Sequence, residues 1–266
     1  MLNRDEINYS KDGAVLLEEN GPVAVITLSR PEALNALTWA MYQQMESHLE
    51  HLLHDQVNRV VIIRGEGKAF AAGTDISQFQ EFTAPDGLVY EQKMETIIEK
   101  LYHFPRPVIA AIHGYAVGAG IILSSVCDLR FATPPSRFGA PIARTLGNAL
   151  SLKNYQHLER SFGVMKAKEM LFTARLLTAD EALQSGFLTA IIEKEHIFTH
   201  ANTVAQHIST LAPLTIWATK QAHQRLREAE TTIPFDDVLA RIYGSHDFAE
   251  GVKAYVEKRQ PQWQGQ

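Results

Sequence analysis

Cysteine is nearly absent: the chain of 266 residues carries one, Cys127. No intrachain disulfide can form, which fits a reducing compartment and leaves stability to a packed core. Cys127 lies in the apolar run SSVCDL and reads as a small buried hydrophobe rather than a nucleophile. Long hydrophobic runs are missing as well, and none approaches the ~20 residues of a membrane span. The start of the chain, MLNRDEINYSKDG, has no apolar stretch of the kind a secretory leader carries. The expectation is a cytoplasmic protein with no membrane partner. No block of Lys or Arg stands out, and the net charge is −5 with a pI near 6.1, so nothing suggests a nucleic-acid footprint. CxxC and HExxH patterns are absent, and His113 and His246 are far apart, so no metal site is expected.

What is present is ordinary for a globular protein: 45% apolar and 21% charged residues. A chain of this length can bury a large core as one domain, or as a core plus a smaller helical appendage. Residues 14–18 and the run PVAVITL from Pro22 read as strands, and Thr38 opens an amphipathic helix to about His54. VVIIR at Val60–Arg64 and PVIAAI at Pro107–Ile112 read as buried strands, with a helix between them at about Pro85–Tyr102. An apolar helix follows the glycines after His113, and a short strand at Leu129–Ala132 closes that unit. Two strands per helix suggest a coiled stack of β-β-α turns rather than a doubly wound sheet. Beyond about Leu150 the pattern is helical: 166–172, 178–185 with the capping box Thr178-Ala-Asp-Glu181, 200–211, 213–228 and 245–258.

Two segments carry candidate chemistry. One is KAFAAGTDI, from Lys68 to Ile76, after a strand; the other is HGYAVGAG, from His113 to Gly120, between a strand and a helix. Small residues let a ligand approach the backbone closely, and the first turn of a helix leaves N–H groups free. One N–H from each loop would form an oxyanion hole for a carbonyl oxygen that becomes negative. Taken singly, either glycine loop is equally well explained by tight helix–strand packing.

Together with Arg30-Pro-Glu-Ala-Leu-Asn-Ala-Leu37, these loops resemble the crotonase superfamily, also called the enoyl-CoA hydratase/isomerase family. The stretch TADEALQSGFL from Thr178 and the tail SHDFAEGVKAYVEKR from Ser245 fit the same pattern, so the resemblance runs from about residue 13 to 261. It implies an α/β fold, a crotonase-type β-β-α superhelix over residues 1–200 with a C-terminal helical trimerisation region at 201–266. It also implies a homotrimer or hexamer and an acyl-CoA substrate, with no cofactor beyond the CoA of that substrate. The oxyanion-hole donors would be Thr74 and Ala119, and CoA would lie along Ala33, Leu34, Ala72, Asp75 and Ile76.

The departures are informative. A hydratase of this family carries glutamates at the positions of Ile122 and Ile142 here. Hydration needs one group to activate water and another to deliver a proton, and isoleucine does neither. Arg144, Asn148 and Glu95 are the substitutes assigned to the acyl pocket, with Arg144 suited to an acyl carboxylate. Glu91, Glu95 and Glu99 recur at four-residue spacing, usually a solvated face, although some relatives draw a base from this helix. Asp128 and His113 read as structural, and His246 belongs to a tail that can approach a neighbouring pocket in this family. The expected activity is therefore stabilisation of a thioester enolate or oxyanion, with isomerase-like or other non-hydratase chemistry. Thioester hydrolysis and catalytically silent acyl-CoA binding are the alternatives.

Overall fold

The computed structural model describes residues 12–76, 84–145, 147–228, 246–247, 250, 257, 259 and 261–266. β1 (Ala14–Asn20) and β2 (Val23–Ser29) form an antiparallel hairpin. α1 (Trp39–His54) leads to β3 (Val60–Gly65), and α2 (Ala84–Tyr102) leads to β4 (Val108–Ile112). Then come β5 (Tyr115–Val117), α3 (Ala119–Ser125), β6 (Leu129–Ala132) and β7 (Arg137–Gly139). α4 (Ile142–Thr145), α5 (Leu152–Phe162) and α6 (Val164–Thr173) precede β8 (Leu177–Thr178), α7 (Ala179–Gln184) and β9 (Ala190–Ile191). α8 (Ile197–Ser209) and α9 (Pro213–Glu228) follow.

One sheet has the order β1-β2-β3-β4-β6-β9 and is parallel from β2 onward. A second, smaller sheet has the order β5-β7-β8, and the bridges Leu37↔Thr74 and Ala71↔Ala116 extend its pattern. Three successive passes of the chain thus add a strand to the first sheet and then a short extended piece to the second: β3 and 71–74, β4 and β5, β6 and β7. This is the β-β-α superhelix expected from the loops and strands.

The strand sequences explain the layering. β2 is buried along its whole length, so it must be covered on both faces. Ala24, Ile26 and Leu28 face the core shared with α1, α2 and α3, while Val23 and Val25 join Val60, Ile62 and Ile109 beneath Ile197, Ala201 and Ala205 of α8. The boundary expected between residues 200 and 201 therefore falls inside a helix that packs on the main sheet. Thr38 caps α1 by accepting from the Met41 N–H at 3.2 Å, and the capping box at Thr178 and Glu181 is formed.

α5 is the element that periodicity did not reveal. Its buried face holds Asn154 and His157 beside Leu158 and Phe162, so the apolar stripe is broken by polar residues. The helix expected at 245–258 lies mostly outside the described residues. Among those described, no helix is long and apolar enough to cross a membrane, and no cluster of metal-ligating side chains occurs.

Gly120 lets α3 sit directly on the first loop: a Cβ there would lie 2.2 Å from the Ala71 carbonyl oxygen. Gly120→Ala should lower stability by about 2–3 kcal/mol through forced overpacking, read as a lowered midpoint in chemical denaturation.

Candidate active site

The two glycine loops meet. A Cβ built on Gly118 would lie 3.2 Å from the Gly73 Cα, and both glycines have positive φ, 56° and 113°. In the bridge between Leu37 and Thr74, the Leu37 N–H donates to Gly73 O at 2.8 Å, and the Asp75 N–H donates to Leu37 O at 2.9 Å. The flanking residues make both bonds, so Thr74's own N–H points away from Leu37. Across from it, the Gly118 N–H donates to Gly139 O at 2.8 Å, and Ala119 begins α3, where the backbone N–H lacks a helical acceptor.

The first loop is held from beneath by Asn35, which is fully buried in the left-handed region (φ 58°), a conformation asparagine tolerates. Its side-chain amide donates to Ala69 O at 2.7 Å and Glu66 O at 2.9 Å, while its Oδ1 accepts from the Arg30 N–H at 2.8 Å. Arg30 in turn pairs with Asp75 at 2.8 Å, and the Ala72 N–H donates to Leu34 O at 3.0 Å. The Ala-Leu-Asn turn and the first loop are thus one clamped unit. His113 also bonds this region, through Gly67 O at 3.0 Å.

Between the loops and helices α2 to α5 lies a cavity of about 140 Å³. Gly73, Thr74, Gly118 and Ala119 form one side of it. Ile122 and Ile142 line it, with Met94 and Ile98 of α2. Its polar lining comes from Tyr90, Glu91, Thr145, Asn148 and Asn154 besides Thr74. The Thr74 hydroxyl sits 2.8 Å from Tyr42 OH and 2.9 Å from Tyr90 OH. Burial pushes the Tyr90 phenol up to about 12 and raises Tyr42 also, so both stay protonated at neutral pH. Trp39 packs edge-on against Tyr90 at 5.6 Å and fixes that wall.

Among the described residues, Glu91 is the carboxylate that lines the cavity. Burial raises its pKa and nearby Glu95 adds to the shift, while the Ser151 N–H at 2.8 Å opposes it. Glu95, one turn on, does not line the cavity; it faces α5 and pairs with Lys153 at 3.5 Å. Glu99 bonds His157 at 2.9 Å, and hydrogen bonds from His103, His157 and Lys153 hold its carboxyl well below the usual range despite burial. The glutamate stripe is therefore divided between the cavity and the α2–α5 contact. Arg144 is exposed on α4 and is not among the lining residues, whereas Asn148 is. Ala72 and Ile76 border the cavity, Ala33 and Leu34 lie half-buried in the clamped turn, and Asp75 is held by Arg30. Asp128 accepts from the Val108 N–H and from Lys220, each at 2.7 Å, which is a structural role. Cys127 is buried and its thiol is pushed up to about 12. His246 is exposed.

Residues 18–266 match the family described as enoyl-CoA hydratase/isomerase. The chain belongs to that family. It is 33% identical to the short-chain-enoyl-CoA hydratase of Clostridium acetobutylicum, over 92% of this chain and 95% of that one. It is 32% identical to the (E)-benzylidenesuccinyl-CoA hydratase of Thauera aromatica, over 94% and 99% respectively. Among solved structures, an enoyl-CoA hydratase/carnithine racemase from Magnetospirillum magneticum superposes with a TM-score of 0.89 at 29% identity, covering 99% of this chain and 100% of that one. An enoyl-CoA hydratase from Bacillus anthracis does so at 0.85 with 27% identity, covering 95% and 99%. In this member of the enoyl-CoA hydratase/isomerase family, the sequence reading left Glu91 undistinguished on its stripe and missed Asn154, for different reasons. Glu91 looked like one of three equivalent surface glutamates, and Asn154 sits in the helix that periodicity missed.

Asn35→Ala should unfold the loop clamp first. Loss of its bonds to buried carbonyls should lower stability by about 2–3 kcal/mol, measured by urea denaturation.

Proposed function

We propose that the protein binds an acyl-CoA and stabilises its thioester enolate through the Thr74 and Ala119 N–H groups, with Glu91 moving the proton. The reaction is then migration of a double bond, with no addition of water by paired glutamates. The observation that carries this reading is the lining of the cavity: among the described residues Glu91 is its carboxylate, while Ile122 and Ile142 stand where the family resemblance puts the hydratase pair.

The chemistry follows from the groups available. Ionised Glu91 takes a proton from the carbon next to both the thioester and the double bond of a 3-enoyl chain. The electron pair moves into the thioester, and its oxygen becomes negative against two backbone N–H donors. Removing one such donor from a comparable hole costs about 100-fold or more in rate, so the pair is a large term. Glu91, now protonated, returns the proton at the far carbon, and the double bond ends conjugated to the thioester. Ile122, Met94 and Ile98 give the cavity a buried apolar wall, which strengthens electrostatic pairing against it. Thr74's hydroxyl is engaged by Tyr42 and Tyr90, which supports an orienting role for it.

Incubation with a 3-enoyl-CoA should convert it to the 2-enoyl isomer, read by the ultraviolet absorbance of the conjugated thioester, and in deuterated water the direct return of the proton by Glu91 should leave most of the product unlabelled by mass spectrometry. Crotonyl-CoA should not gain water at a comparable rate. Glu91→Gln should lower kcat/KM for isomerisation at least ~100-fold, the usual scale for a general base. Because the base works ionised and burial raises its pKa, kcat/KM should fall with acid around a midpoint above the ordinary glutamate value of about 4.3. A profile flat to below that point would remove Glu91 from the reaction. In the other direction, the double variant Ile122→Glu with Ile142→Glu should acquire measurable crotonyl-CoA hydration. A folded double variant that binds the thioester yet hydrates nothing would dissociate these positions from the hydratase pair.

A further inference from the structure

Among the described residues, Glu91 has one hydrogen-bond donor, the backbone N–H of Ser151, which meets its Oε2 at 2.8 Å. Among those same residues Oε1 accepts no hydrogen bond, and no lysine or arginine pairs with the carboxyl. Lys153 of α5 is committed to Glu95 at 3.5 Å and Glu99 at 3.1 Å. Arg144 of α4 is exposed and does not line the cavity. Tyr42 of α1 and Tyr90 of α2 face Glu91 as neutral phenols, since burial raises both. Glu95, on the same helix, is the charge that acts on it.

The donor is held in place without help from Glu91. Ser151 is the N-cap of α5, with φ −64° and ψ 157°. Its hydroxyl serves the cap by accepting the Asn154 N–H at 3.3 Å. Its own N–H has no acceptor inside the helix, as is general for the first N–H groups of a helix. α5 is fastened to α2 two turns beyond Glu91, where Glu99 accepts from Lys153 at 3.1 Å and pairs with His157 at 2.9 Å. A free N–H at a fastened helix end is a preorganised donor.

We infer that Ser151 is a positioning residue for the proposed proton transfer: its backbone N–H holds Glu91 Oε2 and turns the carboxyl so that Oε1 takes and returns the proton. This rests on the reading of Glu91 as the base, and it adds the group that aims that base. The C–H bond next to the thioester breaks as the Oε1–H bond forms. That bond then breaks as a C–H bond forms at the far carbon, and the carboxylate is restored. The Ser151 bond to Oε2 persists throughout. A neutral donor suits this task, because it orients the carboxylate and leaves its negative charge in place. An ammonium there would depress the pKa much further and weaken the base.

Proline is the variant that removes the donor. It has no N–H, and its fixed φ matches the −64° of Ser151. Ser151→Ala is the comparison, since it loses the capping hydroxyl and keeps the N–H. Losing a bond to the ionised carboxylate raises its pKa. In profiles of kcat/KM for a 3-enoyl-CoA, the acid limb of Ser151→Pro should therefore lie about one pH unit or more above that of Ser151→Ala. The Ser151→Ala limb should stay within about 0.3 unit of the wild type. A merely structural helix end would move both variants together, so coincident limbs overturn the inference. If Ser151→Pro does not fold by circular dichroism, nuclear magnetic resonance of the wild type with isotope-labelled serine decides. The Ser151 amide, identified by its absence from Ser151→Ala, should titrate with a midpoint above about 4.3, and should not do so in Glu91→Gln. An amide that ignores pH, or titrates equally in Glu91→Gln, overturns the inference. If the wild type isomerises no 3-enoyl-CoA, the reading of Glu91 as base fails and takes the positioning role with it, even where the amide titrates.

Discussion

Two backbone N–H groups can face one oxygen only if the segments carrying them come within contact distance. Here that distance is set by Gly73 against Gly118, where a single added methyl would press on the opposing backbone. Most of the site depends on this contact. Asn35 ties the first loop to the turn before α1, Gly120 lets α3 rest on Ala71, and the Gly118 N–H ties the second loop to β7. In the proposed hole the donors belong to residues whose side chains matter less than their backbone. Precision at the site therefore comes from packing several residues away.

The cavity opposite the donors has a divided character. Isoleucine and methionine side chains supply a dry wall, and a dry wall strengthens any charge interaction inside it. Glu91 is placed in that environment with one backbone N–H for support, so burial wins and its proton is held more tightly than usual. Glu99, two turns later on the same helix, is also partly buried, but it meets Lys153 and His157, and its proton is held less tightly. The same residue type on one helix face thus has opposite electrostatics, decided by what α5 presents. α5 serves the site twice: its cap supports Glu91, and its first turn brings Asn154 to the cavity.

Much of the fold was legible in the chain. Continuous apolar, β-branched runs marked β2, β3 and β4; glycines before the apolar stretch marked the loop into α3; Thr178 and Glu181 marked a helix start. Tight loops with small residues also marked the two segments around Gly73 and Gly118, because only certain residue types permit such backbone approach, and the family resemblance then singled out Thr74 and Ala119 within them. These signals are local, and local sterics act on neighbours in sequence. The choice among Glu91, Glu95 and Glu99 was different, since all three obey the same spacing. Helix α5 was hidden because two polar side chains lie on its buried face, each with a reason that exists only in three dimensions.

The sequence by itself determined the longer strands and most of the helices, the two glycine loops, and the absence of glutamate at Ile122 and Ile142. Those follow from backbone sterics, apolar periodicity and residue identity, none of which needs a distant partner. Only the tertiary structure decided that Glu91 reaches the cavity, that Glu95 and Arg144 do not line it, and that Asn154, on the buried face of α5, does. Burial and hydrogen-bond partners are properties of segments brought together from about sixty residues apart, as Glu91 and Ser151 are. No spacing along the chain encodes them.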